Sequence, residues 1–169
     1  MSDWLVAMIP LFKAAHIGAL AIWCGGLIAL PLMLSQHNPA DKAEDYSRIR
    51  KTTHLTYTLC VTPSAVAAVV IGTWLLFLRD VFVPWFYLKL LFVAFLVAAH
   101  AWTGLIIVKV AETEGKHKPP HPFLPLAAIL ISVICILWLV LAKPDLGGIV
   151  FPDWLSAPRD AQLPFEAPR

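Results

Sequence analysis

The chain has 169 residues, of which 59% are hydrophobic and only 14% charged, and its mean hydropathy is +0.75. Soluble domains carry about a quarter charged residues, so this composition describes an integral membrane protein and excludes a soluble enzyme or binding module. The net charge of +2 gives no basis for a nucleic-acid partner; what matters is how the basic residues divide among the loops.

Four long apolar runs follow one another, roughly Leu11 to Leu34, Leu55 to Leu78, Pro84 to Val108 and Phe123 to Ala142. Each is close to the ~20 residues that cross a hydrocarbon core. They predict an all-α, four-helix transmembrane bundle over residues 1–144 and an irregular tail over 145–169. Backbone amides in lipid must bond within their own segment, and runs without alternation are not barrel strands. The first run holds Lys13 and His16, lacks a basic leader and has no clear cleavage site, so it reads as a retained helix and not a signal peptide. Lys42, Arg48, Arg50 and Lys51 fall in the stretch read as the first loop, and Lys109, Lys116 and Lys118 in the third. Arg79, Lys143, Arg159 and Arg169 lie on the opposite side. The positive-inside bias therefore places the first and third loops in the cytoplasm and both termini outside. Cys24, Cys60 and Cys135 fall on different runs without CxxC spacing and read as small core residues. In the tail, Ile149, Val150, Phe151, Trp154 and Leu155 suit a membrane interface or a partner complex.

Ionisable groups inside a membrane helix are costly unless they pair, snorkel or face a polar interior, so they mark the place to look for function. They are Lys13 and His16 in the first run, His54 at the start of the second, and Lys89 and His100 in the third. Lys13 is near an interface and can snorkel there. At ~1.5 Å per residue His16 and Lys89 both sit roughly 8 Å deep from the same side and are expected to be level. His100 lies eleven residues beyond Lys89, almost three turns, on the same face and about 16 Å deeper. His16, Leu20, Trp23 and Leu27 form one stripe, with Trp23 two turns below His16. His37, His117 and His121 lie in or beside loops and read as solvated.

No carboxylate falls within the predicted cores, which argues against a carboxylate proton relay and against a hard-cation site needing oxygen ligands. Histidines facing into a small bundle suit haem b, and Ala15, Gly25, Gly26, Gly72 and Gly104 would let a flat macrocycle or a neighbouring backbone approach. Lys89 serves such a site either as a neutral amine ligand or as the charged partner of a porphyrin propionate. Copper is poorly matched, because methionines and cysteines are dispersed.

The segments "HIGALAIWCGGLIALP", "VTPSAVAAVVIGTWLL", "WFYLKLLFVAFLVAAHAW" and a last helix ending in "AKP" occur in order over residues 11–144. Together they resemble the HemJ-type protoporphyrinogen IX oxidases and, more loosely, the CopD superfamily. The resemblance implies a multi-pass protein of the bacterial inner membrane that binds haem b and oxidises protoporphyrinogen IX to protoporphyrin IX, passing electrons to an acceptor such as quinone. It implies His16 as a metal ligand and Lys89 as second ligand or propionate partner. Trp23, His100 and Trp102 complete the cofactor site, with Lys89 and His100 as candidate catalytic residues. Pro63 also falls on a family position. The chain departs from the family at Leu32, where members usually have arginine, and Arg48 or Arg50 is the candidate replacement. The alternative reading is a CopD-like, non-catalytic haem b or copper-handling subunit of a respiratory membrane complex, docked through the tail. A homodimer sharing a porphyrin at its contact is a further expectation.

Overall fold

A computed structural model of the protein describes residues 3–36, 43–79, 84–112 and 121–144. The expectations for His37, Lys42, Lys116, His117, Lys118 and the tail 145–169 lie outside the described residues. The helices are α1 (Asp3–Ser35), α2 (Ala43–Leu55), α3 (Thr62–Arg79), α4 (Pro84–Glu112) and α5 (Phe123–Ala142), and a π-helical segment, Thr56–Val61, joins α2 to α3. Four stretches are long and apolar enough to span a membrane: Ala7–Ser35, Ser47–Leu78, Trp85–Val110 and Phe123–Ala142.

Two of these differ from the expected runs. Helix α1 starts at Asp3 and has 33 residues, about 50 Å at ~1.5 Å each, and its membrane-length stretch begins at Ala7 where the expected run begins at Leu11. Arg48, Arg50 and Lys51 are not in a loop: they belong to α2, which runs through the π-helical segment into α3. The reason is local, because residues 43–62 contain neither glycine nor proline and nothing interrupts the backbone ladder until Pro63. Pro63 lacks an N–H and its ring crowds the carbonyl four residues back. The π register widens the turn just before it, with the Thr62 N–H bonded to the Tyr57 carbonyl. Ser64 Oγ donates to the Cys60 carbonyl at 2.6 Å, satisfying an acceptor beside the proline. At the other extreme α5 stops at Lys143, left-handed at φ 42°, and Pro144 follows.

Helix α1 packs against α3 and the π-helical segment, α4 packs against α5, α1 touches α5, and α2 reaches across to α4. Consecutive helices α3 and α4 form no comparable seam. One end of the bundle carries Arg48, Arg50, Lys51 and Lys109 and is called the basic end; the other, where α1 begins and α5 stops, is the terminal end. The continuous core lies toward the basic end: Trp23, Leu27, Leu30 and Leu34 of α1, Val61, Ala65 and Ala68, then Leu96, Ala99, Ile106, Ile107 and Val110 of α4, and Ile129 of α5. Toward the terminal end the described side chains of α1, α3 and α4 are exposed or half-buried, and Leu139 of α5 is buried apart from that core. Glycines set the close approaches: a Cβ on Gly26 would collide with Val61, and one on Gly104 with the Tyr57 hydroxyl.

Candidate functional site

His16 points from α1 to α3, where Gly72 leaves room for its ring; a Cβ on Gly72 would lie 2.7 Å from His16 Cε1. The Ala68 backbone hydrogen-bonds the imidazole, and the charge of Lys89 on α4 is felt at the ring. Both side chains are half-buried. His16 Nδ1 is fully buried and has no hydrogen-bond partner among the described residues. A buried imidazole nitrogen in an apolar medium ordinarily donates, accepts or ligates, so an unused one is costly. Lys13, three residues earlier, is exposed and stays apart.

Towards the basic end a second polar centre forms around His100. The Trp23 indole N–H donates to His100 Nδ1 at 3.2 Å, and the rings meet edge to face with centroids 6.1 Å apart. Tyr57 of the π-helical segment stacks on the imidazole, centroids 4.9 Å and planes 28° apart, and its hydroxyl donates to the His100 carbonyl at 3.4 Å. Trp23 and His100, both expected at a cofactor site, are therefore in direct contact. Tyr57 is the residue that sequence reasoning missed. Its signal was available: a phenol in a run crossing the membrane must find an acceptor, and Pro63 six residues on announces an irregular turn.

Trp102 is not brought to these groups. Two residues beyond His100, it points roughly 200° away around α4. There it lines an apolar groove of about 520 Å³ between α4 and α5 with Phe92, Phe95 and Ser132. His54 and His121 are exposed, and His121 Nδ1 accepts the Phe123 N–H at 3.3 Å, closing the start of α5. The three cysteines are free; Cys24 packs against the core, whereas Cys60 faces outward and is not the core residue expected. Leu32 is exposed at 48%, Arg48 is exposed and Arg50 half-buried on α2. Among the described residues no three metal-ligating His, Cys, Asp or Glu side chains cluster. Any metal site here would rest on few protein ligands, as in haem proteins where the macrocycle supplies the rest.

The class this defines is a multi-pass, all-helical membrane protein with one histidine seated against a glycine of the neighbouring helix and a second, half-buried histidine clamped by two aromatic rings beside its core. Compared with known proteins, the chain is similar to the protoporphyrinogen IX oxidase of Synechocystis sp., 28% identical over 113 residues, covering 62% of this chain and 54% of the relative. It thus spans about half the length of the curated relative it matches. No protein-family model matches it. No solved structure matches it either.

Proposed function

We propose that this protein is a haem b-dependent oxidoreductase of the bacterial inner membrane that oxidises protoporphyrinogen IX to protoporphyrin IX. The observation that carries the reading is His16, whose buried Nδ1 is unpartnered among the described residues, beside Gly72 and under the charge of Lys89. Similarity to a protoporphyrinogen IX oxidase supports the substrate. The chemistry of the residues present fits a porphyrin: an imidazole nitrogen without a hydrogen bond among the described residues, and an amine whose charge acts on that ring. His16 would hold the iron, and Lys89 would serve as second ligand when neutral or bind a propionate when charged. Bound haem b would supply a one-electron redox centre between the substrate and its acceptor.

The chain's own residues do the rest. Lys89 and His100 are the polar groups of α4 available to a porphyrinogen, and the apolar walls exclude water. Arg48 and Arg50 supply the cations for substrate carboxylates that position 32 lacks. Each pair of hydrogens lost from the porphyrinogen reduces one quinone to quinol, so electrons and protons balance within the bilayer. The basic end faces the cytoplasm by the positive-inside bias, leaving the His16 neighbourhood nearer the outer face.

Absorption spectroscopy of the purified full chain tests the cofactor: a b-type Soret band is expected, lost or shifted by His16→Ala and retained by His121→Ala. A colourless protein that haemin does not reconstitute would sink the reading. Rescue of a strain lacking its own protoporphyrinogen oxidase tests the reaction. Failure to rescue with haem still bound would favour an electron-transfer subunit instead.

A further inference from the structure

His100 is held by two other elements. Trp23 of α1 meets it edge-on at Nδ1, 3.2 Å away with ring planes 76° apart, and Tyr57 covers its face. Neither contact is incidental to the backbone. Gly104, one turn beyond His100, is what admits the Tyr57 ring, since a Cβ there would collide with the phenol oxygen. The π register at Thr56–Val61 accompanies the turn that carries Tyr57 to α4.

The chemistry of the donor then decides the protonation of the ring. An indole nitrogen donates and never accepts. His100 Nδ1 must therefore present its lone pair, and a neutral imidazole with Nδ1 as acceptor carries its proton on Nε2. The other tautomer would set two N–H groups against each other, and the imidazolium would do the same. Iron or another metal could bind Nε2 only if that proton moved to Nδ1, into the indole donor. A base would need a lone pair on Nε2, which this tautomer lacks.

We propose that Trp23 and Tyr57 are positioning residues that lock His100 as its Nε2–H tautomer, making it a hydrogen-bond donor for a carboxylate or carbonyl oxygen of a bound ligand and not a metal ligand or a general base. The lock rests on the contacts of Trp23 and Tyr57 with the ring and stands apart from the haem reading. Trp23 selects the tautomer, and Tyr57 keeps the ring plane against it.

Nitrogen NMR of the full chain, labelled with 15N-histidine and held in lipid nanodiscs at neutral pH, reads the tautomer directly. His100 is assigned by the signals missing in His100→Gln. The expected pattern is an unprotonated Nδ1 and a protonated Nε2; a proton found on Nδ1 in the unsubstituted chain overturns the proposal, whatever the positioning variants show. Trp23→Phe is expected to release a mixture of the two tautomers, and Tyr57→Ala to do so more weakly, whereas Tyr57→Phe keeps the stack and leaves the pattern unchanged. A Trp23→Phe chain that folds and keeps a pure Nε2–H form contradicts the lock. Zinc protoporphyrin IX, a diamagnetic probe, is expected to leave Nε2 protonated, and loss of that proton on binding would make His100 a ligand and defeat the assignment. Failure of the probe to bind at all counts against the haem reading, while the tautomer of the unliganded chain still decides this one.

Discussion

His16 and His100 occupy opposite kinds of surroundings in one bundle. His100 sits where the helices interlock: its Nδ1 is capped by Trp23, its face is covered by Tyr57, and the seat for that ring is a glycine. His16 sits where they do not, with Nδ1 buried and unpartnered, in a half where side chains of α1, α3 and α4 are exposed or half-buried. The same side chain thus meets an aromatic clamp at one level and a glycine-lined seat at the other.

Substitutions that probe this contrast should differ in size. The largest effect is expected from Leu27→Ala, because the side chain is fully enclosed in the core and its loss leaves a cavity worth about 2–5 kcal/mol. Denaturation in mixed micelles measures it, and a cost as small as that of a lipid-facing truncation such as Leu11→Ala would erase the distinction between the halves. Gly104→Ala comes next, at about 1–3 kcal/mol by the same measurement, since the added methyl must push Tyr57 off His100. Gly72→Ala adds the same methyl against His16, yet the ring is half-buried and can swing aside. Its stability cost should be smaller than that of Gly104→Ala, while any haem spectrum that depends on His16 should shift. Smallest is Gly18→Ala, which meets nothing within 4 Å and should be neutral or stabilise by up to ~1 kcal/mol through helix propensity.

Much of the fold was legible because the membrane imposes a local rule. Four apolar stretches mark the spans, and a charge within them is rare enough to notice, which is how His16, Lys89 and His100 stood out. Arg48, Arg50 and Lys51 read as loop residues by their charge, although the stretch that carries them is free of glycine and proline and forms α2. The family resemblance implies Trp102 as a companion of His100, but residues two apart on a helix point to nearly opposite faces.

The amino-acid sequence by itself determined the solvent this chain folds in, the spans that cross it and the few polar groups that must find partners there. It could not determine which faces meet, because α4 is apolar on every side apart from Lys89, His100 and the residues of its basic end, and carries no continuous stripe to orient it. The tertiary structure made that choice through gaps: Gly72 admits His16, Gly104 admits Tyr57, and the turn before Pro63 brings Tyr57 to His100. Where hydrophobicity is uniform, shape and unmet hydrogen bonds set the pairing of helices, and both become visible only when the helices are assembled.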